Sequence, residues 1–544
     1  MDISRRNALS LGVAGVTAAA WSVPDALGGE ATAIAGAPGA HWSRDSEGRR
    51  IADLGNGRFL NPVLSGDHPD PTFLKDGRDY YATFSSFDAT PGLLIWHSID
   101  LVNWAPVGPA LPDPPGTVFA SDLVHHQGRY YIYIPFIPAP WSTQLPDTSS
   151  IHVIWADSMR GPWSRPIDLG IRGYIDPGHV DGEDGRRYLF LSGGARVRLS
   201  GDGLAADGAV EHVYDGWKYP DDWITEAYSL EGPKLFRRGD WFYLVSAVGG
   251  TTGPATGHMV IVARSRSVHG PWTDSPHNPV VRTRSAAERW WSRGHATVFE
   301  GPDGGWWMGY HGYENGYRAL GRQLLLEPVH WDADGWFHAR GGDLSQPLAI
   351  PTAARSRGQE AWSDDFSAPA FGTRWTFFAA TPAESTRAEF AERALKLRSK
   401  GSSPADCSPL LGPSGDQAYE CSVIAELEGD SQAALVLFFN QRLYLGMAFD
   451  GQRMTTYQGG LPSHWQEAAP PSRSLQLRIV NERHIVTFYY RTDERQPWTR
   501  HGMRSEVSGY HANTVADLQS LRPGLCAMGS GRVSFRDYRY RGLA

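Results

Sequence analysis

The chain has 544 residues and a formal net charge of −8, too long for one hydrophobic core, so two or three domains are expected. The acidic balance and the absence of a basic stripe exclude a nucleic-acid-binding surface. Trp 21, Tyr 22, Phe 21 and Gly 61 indicate an all-β chain of short strands and Gly-rich turns. The same composition suits a sugar binder, because flat aromatic faces pack against the C–H face of a sugar ring.

Residues 1–35 read as an export signal. Ser4-Arg5-Arg6-Asn7 precedes a short apolar run, Ala8 to Trp21, and a small-residue stretch, Ala31 to Ala35, offers a cleavage site. The run is too short to span a membrane, and paired arginines point to the twin-arginine route. The mature chain is expected outside the cytoplasm, periplasmic or extracellular, with no membrane span. Residues 36–59 form an N-terminal extension.

Between residues 60 and 340 one pattern recurs five times, a Gly-containing turn followed by an aromatic-rich strand. The turns carry Gly77, Gly128, Gly185, Gly239 and Gly304, spaced as four-stranded propeller blades require. After three of them a further strand and turn lead to a Trp: Trp104, Trp163 and Trp272. Five such units predict a five-bladed β-propeller, with stacked β-sandwiches as the alternative.

Six to nine residues before each repeated Gly stands a polar, titratable residue: Asp70, Asp122, Asp176, Glu231 and His295. Each falls near the start of its blade's first strand. First strands line a propeller's channel, so these residues are expected to converge near one end of the axis. Gathering carboxylates is costly unless chemistry or a cation requires them.

These residues resemble glycoside hydrolase family 43 over roughly Leu60 to Phe337. His68-Pro69-Asp70-Pro71 with Asp79-Tyr80-Tyr81 is similar to that family's first-blade signature, and Tyr174-Ile175-Asp176-Pro177 to its third. Glu231-Gly232-Pro233-Lys234-Leu235 resembles the fourth, Gly294-His295-Ala296 the fifth, and Leu320-Gly321-Arg322 the late arginine segment. The resemblance implies an inverting, exo-acting hydrolase releasing terminal pentose from xylan, xylo-oligosaccharides or arabinose-containing hemicellulose. That is a β-xylosidase, an α-L-arabinofuranosidase or both. Asp70 would be the general base, Glu231 the general acid, and Asp176 the carboxylate that keeps Glu231 protonated and oriented.

Arg322 would bind hydroxyls of the terminal sugar, and Phe87 would form a pocket wall or else inter-blade core. Asp122 is placed with them on the substrate-binding side. His295 would help hold a hydrated structural calcium ion, while catalysis needs no cofactor. One departure stands in the second blade, where Phe119-Ala120-Ser121-Asp122 replaces the family's usual Trp-Ala-Pro-acid. The partner is an oligosaccharide or polysaccharide, and the sequence leaves the oligomeric state open.

Residues 341–360 read as a linker. From residue 361 to 544, alternating strands such as Ala433 to Phe439 and Ile485 to Tyr490 predict a lectin-like β-sandwich. It would either pack on the propeller or bind polysaccharide independently. Cys407, Cys421 and Cys526 lie in this region, a count that allows one bridge. A non-catalytic carbohydrate-binding propeller would keep the aromatics but has no need of three matched acids. A fructan- or sucrose-cleaving propeller commonly places Cys after its acid, where this chain has Gly232.

Overall fold

In each of the five repeats a glycine reverses the chain between two strands. Gly77, Gly128, Gly185, Gly239 and Gly304 have φ of 61°, 77°, 73°, 61° and 75°, a left-handed conformation that a Cβ disfavours. The computed structural model describes residues 41–142, 145–463 and 467–544. It makes each hairpin the start of an antiparallel meander. The first blade comprises Thr72–Asp76, Asp79–Thr83, Gly92–Ser98 and Ala105–Leu111.

The second blade runs from Asp122–His126 to Ile167–Arg172 and the third from Gly178–Asp181 to Glu211–His212. The fourth runs from Glu231–Arg238 to Thr273–Asp274 and the fifth from Trp290–Glu300 to Phe337–Ala339. The first strand of every blade touches those of both neighbours, closing a ring. The result is a five-bladed β-propeller.

Aromatic side chains wedge the blades together. Phe73 of the first blade lies 4.7 Å from Phe299 of the fifth, and Trp272 of the fourth meets Phe190 of the third at 5.7 Å. Such pairs contribute about 0.5–1.5 kcal/mol beyond the area they bury, which accounts for much of the aromatic content. The paired-arginine segment expected to direct export lies outside the described residues.

The C-terminal region forms two antiparallel sheets. One contains Thr376–Phe378, Ser431–Asn440, Leu443–Phe449 and Arg522–Gly529; the other contains Ala418–Glu428, Ser474–Glu482, Ile485–Arg491 and Arg532–Gly542. Leu435, Leu445 and Leu525 from the first share one buried core with Val423, Leu477 and Phe535 from the second. In the second sheet Ala418–Glu428 and Ser474–Glu482 alternate buried and more exposed residues. Ser431–Asn440 and Leu443–Phe449 of the first are instead buried on both faces, their other side packing Val436, Phe438 and Tyr444 with Cys526 into a second core.

Backbone pairing joins this region to the propeller. Ala89–Thr90, in a first-blade loop, extends the first sheet by pairing with Thr376–Phe378. Residues 341–360 are a strap on the propeller surface rather than a free spacer. Leu348–Ala349 pairs with Arg58–Phe59, Ser356 bonds to Ile99 and Asp100, and Arg355 meets Asp53 at 3.3 Å. Cys407, Cys421 and Cys526 are buried free thiols, so the bridge their number allows is not formed.

A buried ion pair locks three parts of the chain together. Arg50 of the N-terminal extension meets Glu314 of the fifth blade at 2.7 Å, both almost wholly buried. Arg50 also donates to the Gly415 carbonyl, and Gln417 donates to Glu314 at 2.7 Å. Replacing Glu314 with Ala strands Arg50 without its partner, and breaking such a pair costs about 3–5 kcal/mol. Urea unfolding of Glu314→Ala should therefore show a clearly lower midpoint; an unchanged midpoint would refute this account of the junction.

Candidate active site

Three of the five matched positions share an unusual backbone. Asp70, Asp176 and His295 have φ of 55°, 55° and 59°, where non-glycine residues are uncommon although Asp and His tolerate it best. Each such conformation costs about 1–3 kcal/mol and persists where function over-determines it. Asp70 and Asp176 lie just before the first strands of their blades, each separated from it by one proline, Pro71 or Pro177, whereas Asp122 and Glu231 begin theirs. His295 instead lies inside the long Trp290–Glu300 strand, where two register shifts turn its ring into the channel.

Asp70 is the most heavily supported group. Its side chain is 9% exposed and accepts from Arg322 Nη1 at 2.9 Å and from Ser85 Oγ at 2.5 Å. Its backbone N–H donates to His311 Nδ1 at 3.0 Å, and His295 Nδ1 lies 3.5 Å from its carboxylate. Burial pushes the Asp70 carboxyl upward, but Arg322, then His295 and His311, hold it well below the usual range. Burial keeps both imidazoles neutral, taking His295 down to about 4. Near neutrality the charge that keeps Asp70 ionised is therefore Arg322.

Asp176 behaves in the opposite way. Burial raises its carboxyl well above the usual range, and the nearby charges of Glu231 and then Asp70 add to the effect. The Gly232 N–H donates to Asp176 Oδ2 at 3.0 Å, which ties it to the residue next to Glu231. Gly232 has φ of 61°, and a Cβ there would sit 2.9 Å from the His295 ring, so only glycine permits this approach. Asp176 is 4% exposed, while the Glu231 side chain is 22% exposed.

Arg322 is 2% exposed, and its Nη2 is buried without a protein partner. One nitrogen grips Asp70 and the other is free for a ligand hydroxyl. Phe87 is 3% exposed, with its ring 5.3 Å from the Arg322 guanidinium and edge-on to Phe119 at 5.5 Å. It lines a cavity shared by Asp67 and His68 of the propeller and by Trp362, Gln519 and Arg522 of the C-terminal region. Burial holds Asp67 up at about 6 despite Arg322 and Arg522.

One expectation is corrected. Asp122 is not free to face a sugar: it accepts from Lys234 Nζ at 2.8 Å, Thr72 Oγ1 at 3.1 Å and the His179 N–H at 2.8 Å. Its role in the structure is to pin Lys234 and so tie the second blade to the first, third and fourth. Toward the hydrated calcium expected at His295, the chain offers His295 Nε2, buried without a protein partner, with the rings of His258 and His311 grouped beside it.

Three residues at the site carry no signal in the repeat pattern. Ser85 and His311 hold Asp70, and His258 Nε2 lies 3.3 Å from Glu231 Oε1. His311 also bonds Thr251 at 3.0 Å. The only hint in sequence is a polar ring set within or beside apolar strands, as in Tyr310-His311-Gly312 and Gly257-His258-Met259.

The chain is similar to known proteins in sequence and fold. A xylan 1,3-β-xylosidase from a Vibrio species is 32% identical over 319 residues, covering 52% of this chain and 57% of that protein. A non-reducing-end α-L-arabinofuranosidase from Bacteroides ovatus is 31% identical over 364 residues, covering 63% and 65%. The chain thus matches about three-fifths of the length of these relatives. Among solved structures, a Bacillus licheniformis family 43 protein superposes with a TM-score of 0.79 at 24% identity, over 89% of this chain and 100% of that one. The model of the glycosyl hydrolases family 43 matches residues 59–337, and with the propeller and its acids in place the chain belongs to that family.

Proposed function

We propose that the protein is an inverting, exo-acting glycosidase that releases a terminal pentose from xylo-oligosaccharides or arabinose-bearing hemicellulose. The observation that carries this reading is the split between two carboxylates. Asp70 is held ionised by Arg322, while Asp176, beside Glu231, is held protonated by burial and its neighbours' charge. A split of this kind marks an ionised base, Asp70, opposite a carboxyl pair that holds a proton, Asp176 with Glu231. A purely sugar-binding propeller has no use for the difference. The names of the two relatives support a pentose as the sugar released.

In the proposed reaction, Asp70 takes a proton from a water that attacks the anomeric carbon. Glu231, at the open side, donates a proton to the departing glycosidic oxygen. The C–O bond to the leaving group breaks as the bond to water forms on the opposite face. Asp176 shares the site with Glu231, and because two negative charges so close disfavour each other, the pair keeps a proton available for Glu231 to donate. Arg322 Nη2 is placed to donate to a hydroxyl of the terminal sugar, and Phe87 offers an apolar wall. No step runs through a cation.

Proton NMR of the first sugar released tests the stereochemistry. A β-xyloside should yield α-xylose before mutarotation. Release of the β-anomer would overturn the inverting mechanism.

A further inference from the structure

On the outer edge of the propeller, away from the acids, three histidines gather around one aspartate. His277 Nε2 lies 2.7 Å from Asp332 Oδ2, His338 Nδ1 lies 3.6 Å from the same oxygen, and His330 Nε2 lies 3.9 Å from Oδ1. The ligand atoms of His277, Asp332 and His338 all fall within 4.8 Å of one another, and no other such group of three occurs among the described residues.

The backbone presets this arrangement. His330 and His338 are direct cross-strand partners at the end of the fifth blade, so their side chains share one face. Asp332 opens the connecting turn, held by its own N–H to Trp336 O at 2.8 Å and by Gly335 N–H to its carbonyl at 3.0 Å. His277 comes from the fourth blade, in a loop fixed by Asn278, whose side chain bonds both the N–H and the carbonyl of Val262. Strand Arg322–Trp331 links this place to the catalytic pocket, but His330 is eight residues from Arg322, about 26 Å at the rise of a strand.

We propose that His277, Asp332 and His338 form a zinc site that staples the fourth blade to the fifth. Two imidazole nitrogens and one carboxylate oxygen suit zinc, whose ligand sphere is tetrahedral. The fourth position is open to water, or to His330 after a side-chain rotation. The ligands come from two blades and from rigid elements, so binding should favour the folded state over the unfolded chain.

The test uses the full chain, purified without a histidine tag and stripped with chelator. Titration with zinc chloride, followed by calorimetry, should show saturable uptake of about one equivalent. The melting temperature should rise with added zinc. His277→Ala and His338→Ala should each weaken uptake by about tenfold or more and abolish the melting shift, leaving glycosidase activity in zinc-free buffer unchanged. Both side chains are well exposed, at 38% and 40%, so these variants should fold. Absence of saturable uptake would overturn the proposal. So would uptake and a melting shift that persist in the double variant.

Discussion

Asp70→Asn should lower kcat/KM on every pentoside by about 10²–10⁴-fold, the usual contribution of a positioned base. The loss should not depend on the leaving group, because water must be activated whatever departs. Glu231→Ala should behave differently. Natural xylosides, whose alkoxide leaving groups need a proton, should lose activity to a similar extent. Aryl glycosides with acidic leaving groups should lose much less. Measuring both variants on a xylo-oligosaccharide and on a 4-nitrophenyl glycoside separates the two roles. If Glu231→Ala harms both substrates equally, or if Asp70→Asn spares either one, the assignment of base and acid fails.

Arg322→Ala should move the acid limb of the pH–rate profile upward. Activity needs Asp70 ionised, and its folded-state pKa is depressed chiefly by the Arg322 charge acting against burial. Activity is therefore present above that depressed value and lost as pH falls through it. Without the guanidinium, burial prevails and the carboxyl rises, so activity is lost at higher pH. An opposite charge at this range is worth about one to three pH units. Asp67, already at about 6 with Arg322 in place, should rise too. Arg322→Lys should restore part of the limb's position but not the affinity, because a single ammonium cannot serve both Asp70 and a sugar hydroxyl. An acid limb that stays in place in Arg322→Ala would show that Arg322 does not set the base.

Much of this protein can be read from local pattern. The five glycines, each needing a left-handed turn, and the strands behind them mark blades of known size. A propeller then follows, because five such sheets cannot bury their faces alone. Asp70, Asp176 and His295 stand at matching places before or within first strands, and in the structure they share one backbone conformation. Repetition makes such positions legible, since each copy testifies for the others. In the C-terminal region Ser474–Glu482 alternates about one buried face, while the continuous apolar run Ala433 to Phe439 is a strand buried on both.

Side chains that meet across long sequence separations were decided only by the tertiary structure. His311 reaches Asp70 from the strand Trp306–Glu314 and Ser85 from the loop after Asp79–Thr83, and neither belongs to a repeated position. Asp122 looks equivalent to the catalytic acids by spacing, yet Lys234 lies within reach and neutralises it. Burial depth likewise comes from the fold: Asp176 is buried and its carboxyl pushed up, and the Glu231 side chain is partly exposed, a difference that spacing cannot express. The pairing of Ala89–Thr90 with Thr376–Phe378 joins segments almost three hundred residues apart. Sequence determines local conformation through short-range sterics and periodic burial. Burial depth, charge neighbours and inter-domain edges depend on where the finished fold brings distant atoms, and these set the chemistry of the site.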